Sequence, residues 1–72
     1  NPSSGHFQVT INNELHAKSL IIWNAAGQLI RREEVNGRNV IPLYLPIQGT
    51  YFVGALRVNG ELIETKKVVI AQ

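Results

Sequence analysis

The chain alternates apolar and polar positions in short stretches broken by turn residues. In residues 6–12, Phe7, Val9 and Ile11 fall on one face and His6, Gln8, Thr10 and Asn12 on the other, which predicts a half-buried strand. Residues 18–24 put Leu20 and Ile22 on one face and Ile21 and Trp23 on the other. Both faces are apolar, so a central strand covered on each side is expected. Residues 28–35 are strand-like without a clean period, because Leu29 and Val35 share a face with Arg31 and Glu33. An edge strand or a bulge would accommodate that mixture. In residues 39–45, Ile41, Leu43 and Leu45 alternate. Pro42 has no N–H to give to a ladder, so this strand belongs at an edge or is interrupted.

Turn signals separate these stretches. Residues 13–17, 24–27 and 36–38 read as turns, with Gly27 supplying a positive φ in the second. Residues 50–58 and 61–70 flank Asn59 and Gly60, which predicts a hairpin closed by a type I′ turn. Between residues 44 and 53, a leucine, a proline-bearing connection and Gly49-Thr50-Tyr51 resemble the tyrosine corner of immunoglobulin-like sandwiches. There the phenol of Tyr51 would bond to upstream backbone. No stretch has a helical period of useful length. Six or seven short strands at intervals of roughly ten residues predict an all-β fold, an immunoglobulin-like antiparallel β-sandwich.

Length limits this fold to one domain, since the chain has 72 residues. A core of that size rarely supplies more than about 3–5 kcal/mol. Residues 1–5, rich in Pro, Ser and Gly, read as the end of a linker, and residues 6–72 as the domain. The chain has no Met, which reads as a piece of a longer protein with any signal peptide upstream. Apolar runs such as 20–23 are far too short to span a bilayer as a helix. The net charge is +2, with Arg31-Arg32 and Lys66-Lys67 the only adjacent cations. They are not interleaved with aromatics, so no nucleic-acid partner is expected.

The residue inventory removes much chemistry. There is no Cys, and all five acidic residues are Glu. Disulfides, thiolate metal sites, cysteine nucleophiles and Asp-based calcium loops are therefore out of reach. No Gly-rich phosphate loop is present. His6 falls on a polar strand face and His16 in a turn, with no third metal ligand at suggestive spacing. Ser3, Ser4 and Ser19 have no base and orienting group beside them in any known pattern. Glu33 and Glu34 are strand neighbours and point to opposite faces. No cofactor and no enzymatic activity are expected. Trp23, Tyr44 and Tyr51 read as packing and corner residues. A carbohydrate-binding or fibronectin-like accessory module is the alternative, and it would expose Trp23 and Tyr44 together on one flat face.

Four blocks in order resemble one family, the type A C-terminal sorting domain (the secretion-system tail) of proteins exported by the type IX secretion system of certain Gram-negative bacteria. "NPSSGHFQV" (1–9) is similar to the family's opening Asn-Pro, short gap, Gly and alternating strand. "LIIWNAAGQLI" (20–30) resembles its strand, turn and Gly-polar-Leu return, with Trp23 where Tyr is usual and Asn24 where Asp or Asn stands. "IPLYLPIQGTYFV" (41–53) resembles its leucine, corner and Gly-x-Tyr-Phe-Val block, with Pro42 where an Asp is common. "KKVVI" (66–70) resembles its closing Lys-Lys-aliphatic strand.

The resemblance implies an address rather than a catalyst. Such a domain is fused behind a cargo, folds in the periplasm and directs the cargo across the outer membrane to the cell surface or medium. The outer-membrane machinery and a sortase-like protease are the implied partners. Cleavage, followed by cargo release or attachment to anionic lipopolysaccharide, is the implied fate. Lys66, Lys67, Val68, Val69 and Ile70 are then the expected read-out strand, with Gly49 and Tyr51 setting the corner. A strand near a sheet edge is open to capture by strand addition. The same open edge leaves edge-to-edge pairing of two isolated copies as a further expectation.

Overall fold

The computed structural model describes residues 5–12, 14 and 16–71. Six strands follow one another: β1 (His6–Thr10), β2 (Ser19–Asn24), β3 (Leu29–Glu34), β4 (Val40–Tyr44), β5 (Gly49–Leu56) and β6 (Leu62–Ile70). They form two antiparallel sheets, one of order β1-β4 and one of order β3-β2-β5-β6. The result is a small all-β sandwich. Residues 1–4, which contain most of the expected linker, and residues 13 and 15 of the first expected turn lie outside the described residues.

Alternation decides what goes inside. Leu20 and Ile22 of β2 and Tyr51, Val53 and Ala55 of β5 are buried on the inner face of the larger sheet. Ile41 and Leu43 of β4 meet them from the smaller sheet, with Ile11, Val35, Leu45 and Ile70 completing the core. Phe7 and Val9 of β1 pack against its margin. Burial of these branched side chains is the main favourable term for a chain without cross-links.

The strand order explains the two irregular stretches. β3 is an edge strand, and its pairing with β2 slips at a bulge between Ile22 and Trp23. Leu29 is therefore left 65% exposed, while Val35 beyond the strand turns inward and is buried. Pro42 stands opposite Gln8 in a two-stranded sheet, where each strand has an open side that needs no ladder bond from it.

Two expectations are corrected. β2 is central, but the second sheet covers only its inner face. Ile21 and Trp23 on the outer face are half-buried by their own sheet neighbours instead. The hairpin at Asn59-Gly60 is not closed by a type I′ turn, because only Gly60 has positive φ, at 87°. Gly60 N–H donates to Arg57 O at 2.9 Å, and Arg57 N–H donates to Glu61 O at 2.9 Å. This is a turn over Val58 and Asn59 followed by a glycine in the left-handed region, the three-residue hairpin loop that carries a bulge. The pair with both φ positive is Asn36 (52°) and Gly37 (74°), closed by Arg38 N–H to Val35 O at 3.0 Å. That turn does not close a hairpin. It carries the chain from β3 in one sheet to β4 in the other.

Candidate functional site: the β6 edge and its corner

The site begins at the corner that launches β5. Gly49 has φ 153°, a conformation that L-residues rarely adopt. Tyr51 follows, buried to 7% exposure, and its hydroxyl donates to Ile47 O at 2.6 Å. The phenol thus ties β5 to the incoming connection four residues upstream, in the manner of a tyrosine corner. The turn after β2 is held similarly. Asn24 Oδ1 accepts from Ala26 N–H at 3.0 Å and from Gln28 N–H at 2.9 Å.

β5 then fixes β6 residue by residue. Gly49 stands opposite Ile70, Thr50 opposite Val69, Tyr51 opposite Val68, Phe52 opposite Lys67 and Val53 opposite Lys66. Opposite residues share a face. Lys66 and Val68 therefore lie on the inner side with Val53 and Tyr51. Lys67 and Val69 lie on the outer side with Phe52 and Thr50. Ile70 is 2% exposed and Val68 half-buried, so both hold the strand down. Lys66, Lys67 and Val69 are exposed.

The two faces of this edge differ. On the inner side, β6 and β1 border an open groove of about 260 Å³, with Leu20 and Val53 at its floor, Phe7 and Val9 on one wall, and Lys66 and Val68 on the other. Sequence reasoning missed this groove, because it depends on β1 and β6 sitting across from each other in different sheets. On the outer side, Lys67 adjoins an aromatic pair. Trp23 and Phe52 stack with centroids 6.0 Å apart and planes at 24°. Gly54 makes room for them: a Cβ there would lie 3.0 Å from the Trp23 ring and 2.8 Å from Leu62. Tyr44 is on the other sheet, stacked on His6 at 4.4 Å. Trp23 and Tyr44 do not share a face, so the flat aromatic surface that a sugar-binding module would need from this pair is not formed.

Charge also separates the two edges of the larger sheet. On β3, Arg31 pairs with Glu33 and Arg32 with Glu34, each at 3.1 Å, and Arg38 reaches Glu33 at 3.1 Å. Arg38 further donates to Val35 O at 3.0 Å and to Glu34 O. Hydrogen bonds from Arg38 and then Arg31 hold the Glu33 carboxyl below its ordinary range. On β6, neither Lys66 nor Lys67 makes an ion pair among the described residues. β3 is thus a self-neutralised edge, whereas Glu64, Lys66 and Lys67 of β6 are in no ion pair among the described residues. Among the described residues, no group of three or more His, Cys, Asp or Glu could hold a metal. Among the same residues, no helix is long and apolar enough to cross a membrane.

The model of one protein family, the secretion system C-terminal sorting domain, matches residues 1–71. The chain belongs to that family. No curated protein and no solved structure matches it. The sorting domains of this family are signals for export by the type IX system, across the outer membrane to the cell surface or the exterior. The family is one of addresses, not of catalysts.

Proposed function

We propose that residues 6–72 form the sorting domain proper and that β6 is the strand the export machinery reads. The observation that carries this reading is the state of β6 among the described residues. It is a free edge, nine residues long, with two exposed lysines that have no carboxylate partner. A receptor strand added along this edge would satisfy unpaired backbone groups and meet Lys66 on one side and Lys67 on the other. Val69 adds an apolar contact beside Lys67. Val68 and Ile70 act from below by fixing the strand, and Gly49 and Tyr51 act by fixing β5 against which it lies. The cargo is fused ahead of the domain and passes through the periplasm with it. A sortase-like protease then removes the domain, and the cargo is released or attached to the surface.

The test is export of a periplasm-directed fluorescent protein fused to these 72 residues, in a host with type IX machinery. Expected is fluorescence at the surface or in the medium, and retention of a Lys66→Ala/Lys67→Ala fusion that circular dichroism shows to be folded. A folded double variant exported like the parent would remove the lysines from the read-out. A parent fusion that stays in the periplasm would remove the sorting assignment for this domain.

A further inference from the structure

We infer that β6 is also self-complementary, and that two copies of the chain pair β6 to β6 antiparallel, centred on Thr65. In this register Glu64 of each copy stands opposite Lys66 of the other. The inference does not rest on the sorting reading, and either can fail alone.

Four observations meet at this strand. β6 is an open edge of the larger sheet. Glu64, Thr65 and Lys66 are consecutive, and all three are exposed. Glu64 stands opposite Ala55 and Lys66 opposite Val53, so both charges lie on the inner side of the sheet. Neither Glu64 nor Lys66 is in an ion pair among the described residues. The strand thus carries one acid and one base, two residues apart on one face, and neither is compensated within the chain.

Charge selects the register. Pairing that keeps both inner faces on the same side of the joined sheet requires the twofold axis to pass through a residue. An axis at Glu64 opposes two carboxylates, one at Lys66 two ammonium groups, and one at Lys67 two more. An axis at Thr65 gives two opposite-charge pairs and no like-charge pair. Opposite charges face to face on neighbouring strands stabilise, and like charges destabilise. The two grooves between β1 and β6 come to lie side by side on one surface of the two joined four-stranded sheets. The contact is small, so the association is weak and reversible. It covers the same backbone edge that a receptor strand would use, so self-pairing and capture exclude one another.

Sedimentation equilibrium from about 10 μM to about 1 mM, the range expected of a small edge contact, is the measurement. The wild-type chain is expected to pass from monomer to dimer within that range. Lys66→Glu, which sets carboxylate against carboxylate at both pairs, should raise the dissociation constant about tenfold or more, as should Glu64→Lys. The exchange Glu64→Lys/Lys66→Glu restores both pairs and should return the constant to within about threefold of wild type. Lys67→Glu, on the other face, should leave it within the same range. An amide NMR spectrum of each variant shows that it is folded, and two independent single variants keep the test open if one is not. A wild-type chain that stays monomeric throughout overturns the inference. So does a dimer that Lys66→Glu and Glu64→Lys leave intact, one that the exchange does not restore, or one that Lys67→Glu abolishes instead.

Discussion

Phe52 and Lys67 stand opposite each other across the β5–β6 ladder, on the outer face of the larger sheet. Because Phe52 also stacks on Trp23 at 6.0 Å, the aromatic pair and the exposed lysine form one row across three strands. The lysine stem can lie along the ring while its ammonium stays in water. Phe52→Ala would remove the ring from the middle of the row. A half-buried phenylalanine costs less than a fully buried one, so a loss of about 1–2 kcal/mol is expected in urea unfolding. Trp23 is the sole tryptophan, so its emission should shift to the red as water reaches the freed ring face. Unchanged emission would mean that Phe52 does not shield it.

Tyr51→Phe keeps the ring in the core and deletes only the bond to Ile47 O, 2.6 Å long. One such bond is worth about 0.5–1.5 kcal/mol, and the loss should appear as a lower urea midpoint with an unchanged slope. A phenylalanine variant as stable as the parent would show that the corner is held by packing of the ring alone.

How far these relationships can be read from residues alone differs by type. Face assignments are local, since strand neighbours always point opposite ways. The split of Lys66 and Lys67 between two sides, and the inward set Phe7, Val9 and Ile11, were legible for that reason. Pairing is not local. That β1 joins β4 across two intervening strands, and so puts Tyr44 on a different sheet from Trp23, has no signature in either strand. The groove beside Lys66 was hidden for the same cause. Turn type failed on a finer point: a glycine after asparagine serves two hairpin loops, and only the backbone of Asn59 distinguishes them. The expectation for β3 succeeded because its broken period is itself what an edge with a bulge looks like.

Glu33 provides a pH-dependent term. Hydrogen bonds from Arg38 and Arg31 lower its pKa in the folded chain relative to the unfolded one. A carboxyl so depressed contributes stability that is fully present above its unfolded pKa and is lost as pH falls through the folded value. The melting temperature should therefore fall as pH is lowered through the carboxylate range. Glu33→Gln should melt below wild type near neutral pH and converge on it at the acid end. Parallel curves for the two proteins would mean that Glu33 is not the group responsible.

Ser19 supplies the opposite sign. It is 1% exposed, and its hydroxyl has no hydrogen-bond partner among the described residues. A buried polar group without a partner costs about 1–3 kcal/mol, a cost that its removal relieves. Ser19 sits at the start of β2, in register with Glu34 of β3 on one side and Leu56 of β5 on the other. Ser19→Ala deletes one oxygen and leaves those ladders in place. The small void it opens works against the gain, so the net expectation is a melting temperature equal to or slightly above that of wild type. That would make it the reverse of Tyr51→Phe, although both remove a single hydroxyl from a buried strand residue of the same sheet. A clear loss of stability in the alanine variant would show that the Ser19 hydroxyl is hydrogen-bonded in solution.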